Sequence, residues 1–295
     1  MAKNPRITWQ RVDPKTLDLK DWKVAVVGGT GGLGRAISLA LASRGAQVTV
    51  VGQTFRDEGT PRVSFIKADL SLMKEAQRVA RELPAEQLDL LLFTTGIFAA
   101  PKREETREGL ERDMATSYLN RLAMLRELGP RLGKARPVGR GKPRVFVMGY
   151  PGTGQAGIAG DQNSEKTYAA FEVHMNTVAG NEMLVLDGVT RYPELNFFGL
   201  NPGLIKTNIR DNFLGKDSIK SRVTEFFIGL MTPTPEQYAE RMVPLLVSAD
   251  LESHSGAMFD QKGQAVLPSA EVTVESHRGA FLAESQQLVE RALRA

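Results

Sequence analysis

The chain has 295 residues, 42% of them hydrophobic and 24% charged, with a net charge of +4 at pH 7. The absence of cysteine excludes disulfides and thiolate metal sites, and three scattered histidines argue against a histidine-rich metal site. No window approaches the ~20 apolar residues of a membrane span, and residues 1–22 are too polar for a signal peptide, so we expect a cytoplasmic protein.

Strand-like and helix-like segments alternate from residue 23 to about residue 205. Helical spacing is seen at 34–45, in a long segment that starts around 104–109, and around His174. The strand-like runs are 23–28, 47–52, 63–69, 88–96, 144–150 and 195–203. Such alternation predicts an α/β Rossmann fold, a doubly wound parallel sheet with helices on both faces, in a single domain after an N-terminal extension at 1–22.

The pattern changes after residue 208. Residues 211–231 carry bulky apolar side chains at helical spacing, which is typical either of a lid-like helical insertion or of core and dimer packing. Pro233 and Pro235 then open a helix, a short strand follows at 256–260, and a polar amphipathic helix occupies 276–295. Basic residues at 133–144 have no interleaved aromatic residues, so we expect a solvated loop and no nucleic-acid partner.

A glycine-rich turn follows the first predicted strand. Gly28, Gly32 and Gly34 stand in the spacing G-x-x-x-G-x-G, directly between a strand and a helix. Glycine permits the tight turn and lets a pyrophosphate approach the backbone, and the helix N-terminus offers free N–H groups. The sequence therefore predicts a dinucleotide site here.

These glycines, with "KADL", "DLLLFTTG" and "NPGLIKT" in order, resemble the short-chain dehydrogenase/reductase superfamily over roughly residues 22–265. The stretch "DQNSEKTY" resembles its retinol-dehydrogenase-like branch. The resemblance implies a nicotinamide cofactor, with Asp69 near the adenine and the Pro202–Gly203–Thr207 segment over the nicotinamide. It also implies a substrate lid at 211–245. The implied cofactor residues are Gly28, Thr30, Gly32, Leu33, Gly34, Gln53, Arg56, Asp69, Leu70, Thr95, Gly96, Pro202, Gly203 and Thr207.

The end of the second strand bears on the choice of cofactor. A carboxylate there would bind the ribose 2′-hydroxyl of NAD, whereas a basic group would suit the 2′-phosphate of NADP. This strand ends at Gln53 with Arg56 three residues later, while Asp57 and Glu58 follow further on. We therefore predict NADP(H) rather than NAD, although Arg56 could equally be a solvent-facing loop arginine.

Members of this superfamily normally use asparagine, serine, tyrosine and lysine as a catalytic tetrad. Here the resemblance places Ser117 at the asparagine, Tyr150 at the serine, His174 at the tyrosine and Val178 at the lysine. A slip of one residue would instead place Val173 and Thr177 at the last two positions. Tyr-x-x-x-Lys is absent either way. An imidazole can donate and accept a proton near neutral pH, so we take His174 as the acid/base, Tyr150 as the group that binds the substrate oxygen and Ser117 as a group that orders water, for which Thr153 is the alternative.

Two functions remain open at this point. The first is an NADP(H)-dependent oxidoreductase that acts on a small hydrophobic carbonyl or alcohol substrate through an atypical proton relay. The second is a redox-neutral enzyme (a cyclase, isomerase or dehydratase) or a cofactor-sensing binding protein, in which His174 is only a packing residue. Superfamily members often dimerise through the helices that carry Ser117 and His174, so a homodimer is also an open alternative.

Overall fold

The computed structural model describes residues 1–203 and 233–295. The part of the chain that it describes forms one eight-stranded sheet in the order β3-β2-β1-β4-β5-β6-β7-β8. Neighbouring strands are parallel except β7 and β8. The strands are β1 Lys23–Val27, β2 Gln47–Gly52, β3 Val63–Lys67, β4 Leu90–Phe93, β5 Arg144–Met148, β6 Asn196–Leu200, β7 Met258–Phe259 and β8 Ala265–Val266.

Helices cover both faces of the sheet. One helix, named α3 here, continues from Arg112–Met114 through a π-helical turn at Ala115–Leu119 into Asn120–Leu128. The others are α1 Gly32–Ser43, α2 Met73–Glu82, α4 Ala170–Arg191, α5 Pro235–Val247, α6 Ala270–Thr273 and α7 Glu275–Arg294. One core lies between the sheet and α2, α3, α4 and α7, and the other between the sheet and α1 and α5.

The central strands are buried on both faces, as continuous apolar runs in parallel sheets usually are. Every residue of β4, β5 and β6 is buried, including those that alternation alone would turn outward. The strand order reverses between β1 and β4, which opens a crevice at the carboxyl ends of these strands. The predicted α/β Rossmann fold with helices on both faces is confirmed.

Several predicted boundaries differ from the structure. The prediction that the long helix starts at 104–109 is wrong, because α3 begins only at Arg112, where the Glu111 side chain accepts a hydrogen bond from Met114 N. Residues 104–111 instead fold into a turn whose ends pair at Glu105 and Glu111. The antiparallel β8 was not predicted. It pairs with β7 and, through Val266, with Lys3 of the N-terminal extension.

The C-terminal helical region is present as α5, α6 and α7. Of the proposed lid region, only residues 233–245 are described, and from Pro235 onward they belong to α5. The apolar stripe at 211–231 lies outside the described residues. Within 1–203 and 233–295, no helix is both long enough and apolar enough to cross a membrane.

Candidate active site

A cleft of about 1650 Å³ opens at the carboxyl ends of the central strands. It brings together every predicted site residue except Thr207, which lies outside the described residues. The predicted residues that line it are Gly28, Thr30, Gly32, Leu33, Gly34, Gln53, Arg56, Asp69, Leu70, Thr95, Gly96, Ser117, Tyr150, His174, Pro202 and Gly203. The cleft therefore unites the glycine loop with the side chains expected to carry the chemistry.

The glycine loop leaves one wall of the cleft as bare backbone. Gly28 has a φ of +93°, and a Cβ there would lie 2.5 Å from Thr95 N. Helix α1 begins at Gly32 with no side-chain cap, so its first N–H groups are open to a ligand. Among residues 1–203 and 233–295, nothing lies within 4 Å of a Cβ built on Gly31, which lines the cleft. This cradle fits the pyrophosphate of a dinucleotide.

Buried polar atoms support the same fit. Thr95 Oγ1 and Thr116 Oγ1 are buried and have no hydrogen-bond partner among the described residues, and both side chains belong to the lining of the cleft. Buried polar groups are normally paired, so unpaired ones at a cleft indicate places where a ligand would bond. Thr30, Thr95 and Gly96 would hold the central part of a nicotinamide dinucleotide.

The far end of the cleft offers a carboxylate and an arginine. Asp69 Oδ1 accepts hydrogen bonds from Ser71 Oγ at 2.7 Å and Gln53 Nε2 at 3.0 Å. Burial alone would raise the pKa of Asp69, but the hydrogen bonds from Ser71 and Gln53 outweigh it and hold the pKa below its usual value. Arg56 donates to Thr30 O at 3.2 Å, so its guanidinium lies across the mouth of the glycine loop.

Asp57 is already engaged. Its carboxylate accepts hydrogen bonds from Arg35 Nε at 2.8 Å and from Arg35 Nη2 at 2.5 Å. The Asp57 side chain is 8% exposed, whereas that of Arg35 is 39% exposed. The first acid that follows β2 along the chain is therefore paired with Arg35, the residue after the last glycine of the loop.

His174 is part of a buried hydrogen-bonded trio. Its Nδ1 lies 2.8 Å from Asp113 Oδ2, and Ser117 Oγ donates to Asp113 Oδ1 at 2.5 Å. The Asp113 side chain is fully buried and that of His174 is 18% exposed. The ring of Phe98 packs on the imidazole with centroids 4.2 Å apart. Because Nδ1 bonds to Asp113, the other nitrogen of His174, Nε2, lies on the opposite side of the ring. His174 lines the cleft.

Ser117 makes a second contact besides its hydrogen bond to Asp113. Its hydroxyl also accepts a hydrogen bond from Ile97 N at 3.0 Å, so it joins Asp113 to the segment that follows β4. Sequence reasoning missed Asp113 altogether. The available signal was an acid and a serine four residues apart at the start of a helix, a spacing that places both on one face.

Arg121 was also missed. Its Nη1 donates to Met148 O at 2.5 Å and to Asn181 Oδ1 at 2.7 Å, and its Nη2 donates to Thr95 O. Asn181 in turn donates to Ser117 O and Thr177 O. These bonds join the ends of β4 and β5 to α3 and α4 beneath the cleft.

The alignment of α4 can be compared with the lining of the cleft. His174, Thr177 and Val178 line it, whereas Val173 is 2% exposed and packs in the core. At the lysine position, Val178 is buried and cannot supply a charge. The placement of His174 at the tyrosine position stays a prediction, since Thr177 of the alternative register also lines the cleft.

Tyr150 lines the cleft at the end of β5, next to Gly149. A Cβ on Gly149 would lie 3.0 Å from Asn181 Cβ, so the close packing of α4 on this loop favours glycine there. Glu182 holds the loop through Gly152 N and also accepts from Ser269 N and Ser269 Oγ.

The tyrosine and the lysine of the "DQNSEKTY" stretch lie outside the cleft. Tyr168 donates its hydroxyl to Ala100 O at 2.5 Å, and Lys166 Nζ donates to Gly160 O. Neither side chain lines the cleft. Thr153, considered for ordering water, donates to Tyr150 O and is also absent from the lining.

Glu111 makes the start of α3 sensitive to pH. Burial raises the pKa of its carboxyl to about 7, although hydrogen bonds from Met114 N and Asp113 N act the other way. Because the pKa of Glu111 is higher in the folded protein than in the unfolded chain, the protonated carboxyl favours the folded state. The resulting stability is complete below about pH 4.5 and is lost as the pH rises through about 7. We expect Glu111→Gln to stabilise the protein at pH 8, by on the order of 2 kcal/mol, and to have little effect at pH 5.

Urea unfolding of the variant and the native protein at both pH values measures this difference. The glutamine side chain keeps an oxygen that can cap Met114 N, so the comparison isolates the charge. Glu172→Gln, an exposed acid in the first turn of α4, is the control and should behave alike at both pH values. An equal effect of Glu111→Gln at pH 5 and pH 8 would contradict the assignment.

No protein-family model matches the chain. It is 50% identical over 296 residues to the uncharacterised oxidoreductase YKL107W of Saccharomyces cerevisiae, covering 99% of this chain and 96% of that protein. The structure resembles that of an uncharacterised protein of Mycobacterium paratuberculosis with a TM-score of 0.70 at 20% identity, covering 96% and 98% of the two chains. It also resembles a short-chain dehydrogenase of Pseudomonas syringae with a TM-score of 0.61 at 18% identity, covering 86% and 99%.

These similarities favour the oxidoreductase interpretation over the redox-neutral alternative. The cleft described above has the glycine loop, the switch-point position and the unpaired polar atoms that a nicotinamide dinucleotide requires. The fold, the site and the yeast relative agree on one assignment. The chain belongs to the short-chain dehydrogenase/reductase superfamily and is an NAD(P)-dependent oxidoreductase.

Proposed function

We propose that the protein is an NADP(H)-dependent reductase or dehydrogenase of a small hydrophobic carbonyl or alcohol, with His174 as its proton donor and acceptor. The observation that carries this proposal is the Asp113–His174 pair at 2.8 Å in the wall of the dinucleotide cleft. We infer that His174 takes the position at which the superfamily has its tyrosine.

The proton relay follows from the tautomer that Asp113 favours. An Nδ1–H that donates to Asp113 Oδ2 leaves Nε2 to carry or accept the mobile proton. When bound, the cofactor supplies or accepts a hydride at its nicotinamide ring. In reduction, Nε2 would protonate the developing alkoxide, and in oxidation it would remove the alcohol proton. The Tyr150 hydroxyl would donate a hydrogen bond to the same oxygen.

The preference for NADP rests on charge at the ribose end of the cleft. Arg56 lies at Thr30, and Arg35 follows the glycine loop. The nearby acid Asp57 is occupied by Arg35, so it offers no free carboxylate to a ribose diol. A 2′-phosphate would find the guanidinium of Arg56 here, a group that suits a phosphate dianion.

The substrate class rests on the side chains around His174. Ile97, Phe98, Met175 and Val178 line this part of the cleft and are apolar. Such a surface would bind an apolar substrate body and leave the carbonyl for the polar pair. Cytoplasmic location and a homodimer stay as predictions that accompany this proposal.

We expect NADPH to bind at least tenfold more tightly than NADH, because only NADPH carries the 2′-phosphate. Arg56→Ala should reduce that preference to about threefold or less by weakening NADPH binding alone. Isothermal titration of each nucleotide into the purified protein measures both affinities.

The control variant is Arg6→Ala, an exposed arginine outside the cleft, which should leave both affinities unchanged. Equal binding of NADPH and NADH would refute the NADP assignment. Failure of both nucleotides to bind would refute the hydride-transfer function as a whole.

A further inference from the structure

Arg121 is a buried cation directly beneath the cleft. Arg121 is 2% exposed, and it lines the cleft at the ends of β4 and β5. Its hydrogen-bond acceptors are two carbonyl oxygens, of Met148 and Thr95, and the amide oxygen of Asn181. All three acceptors are neutral.

In the part of the chain that the structure describes, no carboxylate forms an ion pair with Arg121. None of the ion pairs found within residues 1–203 and 233–295 includes Arg121, and its Nε is buried without a partner there. Burying an unpaired guanidinium is costly. Burial lowers the pKa of Arg121 to about 9, while the negative charge of Asp113 acts in the opposite direction.

Asp113 is a buried anion, just as Arg121 is a buried cation. Its carboxylate is fully buried and bonds to the Ser117 hydroxyl and to His174 Nδ1. A buried carboxylate with no other counter-charge would hold an adjacent imidazole in its protonated form, since the opposite charge favours the cation. An imidazole held in that form is a poor proton donor.

We propose that Arg121 is a positioning residue for the Asp113–His174 pair, and that its buried charge balances Asp113 so that His174 can release its proton. This inference rests on the proposed role of His174 as acid/base. The positive charge of Arg121 would take the electrostatic role of the superfamily's lysine. Arg121 reaches the site from α3, however, and not from α4.

The spacing along α3 supports this arrangement. Asp113, Ser117 and Arg121 recur every four residues, which places them along one side of the helix toward α4. Asn181 of α4 accepts from Arg121 and donates to the Ser117 carbonyl, so it closes the contact between the two helices. The acid and the cation are thus fixed on one rigid element.

Other titratable groups near the pair have different partners. Glu111 and the Tyr168 hydroxyl lie within the field of Asp113, and Arg103 acts on Glu111. Tyr150 faces the cleft from the end of β5. The groups on α6 and α7, which also pack against α4, are directed elsewhere: Glu271 is exposed, His277 bonds Ala156 O, and Glu284 bonds Gly160 N and Gln162 N.

The test follows the imidazole titration of His174 by NMR in the protein without cofactor. Arg121→Gln keeps hydrogen-bonding capacity and loses the charge, whereas Arg121→Lys keeps the charge and changes the bonds. We expect Arg121→Gln to move the titration midpoint upward by about one pH unit, and Arg121→Lys to move it by less than about a third of that. A purely structural role for Arg121 would not separate the two variants.

An unchanged midpoint in Arg121→Gln, or equal shifts in both variants, would overturn the proposal. Should Arg121→Gln fold poorly, Asp113→Asn/Arg121→Gln decides the matter: removal of both charges should restore stability relative to the single variant. If the double variant is no more stable, the charges are not coupled and the proposal is rejected. Because no turnover is measured, failure here is distinct from failure of the proposed oxidoreductase function, which the NADPH titration and the His174 variants test.

Discussion

His174→Asn is expected to lower kcat by about 10²- to 10⁴-fold, the range typical of a lost general acid or base. The side-chain amide can still donate to Asp113 Oδ2, the acceptor of the native 2.8 Å bond, so the buried carboxylate keeps a partner. The amide cannot exchange a proton with substrate near neutral pH. NADPH binding should stay within about twofold of the native value.

The measurement uses the best substrate from a panel of hydrophobic aldehydes and ketones, with loss of NADPH absorbance as the readout. His254→Asn is the matched control, since His254 does not line the cleft and should tolerate the change. Asp113→Asn should also reduce kcat, because the imidazole loses its anionic orienting partner. Full activity in His174→Asn would remove the histidine from the chemistry and leave it as a packing residue.

Gly34→Ala is expected to destabilise the fold by roughly 3 kcal/mol or more, the range of severe overpacking. A Cβ there would lie under 3.0 Å from Gly28 O and Thr94 Oγ1, and one of these contacts is backbone. The start of α1 would have to move away from both Gly28 and Thr94. Thermal unfolding and urea unfolding without cofactor measure the loss.

Gly31→Ala is the matched variant in the same loop. Its φ of −156° is extended backbone that any residue adopts, and no atom of the described part of the chain lies within 4 Å of the new Cβ. We therefore expect native stability, with NADPH affinity reduced about tenfold because the methyl group projects into the cleft. If Gly31→Ala left NADPH binding unchanged, the dinucleotide would not lie against this loop.

Strands β1 to β7 were predictable because short apolar runs and the turn residues that bound them mark their positions. The runs that became β1, β4 and β5 are short, apolar and bounded by polar or glycine residues. The start of α3 was not predictable in the same way. Residues 104–111 are charged and compatible with a helix. In the structure they form a turn instead, because Glu105 pairs with Glu111 and the Glu111 side chain caps α3.

The glycine loop and His174 could be found from local spacing, since both depend on neighbours in the chain. Asp113 and Arg121 could not, because their roles arise from contacts across 61 and 60 residues, to His174 and Asn181. A carboxylate on an amphipathic helix is usually solvated, and only the packing of α3 against α4 buries this one. The side chains that tune a site are therefore the ones that single-sequence reasoning finds least easily.

The π-helical turn at Ala115–Leu119 has a consequence for how such a site can arise or be lost. A turn of this type holds one residue more than an α-helical turn. Deleting one residue would restore a regular helix and rotate Asp113 by about 100° about the axis, away from His174, while Arg121 kept its place. A single-codon deletion would thus dismantle the pair without changing either side chain. The pair therefore depends on the geometry of this turn as much as on its two side chains.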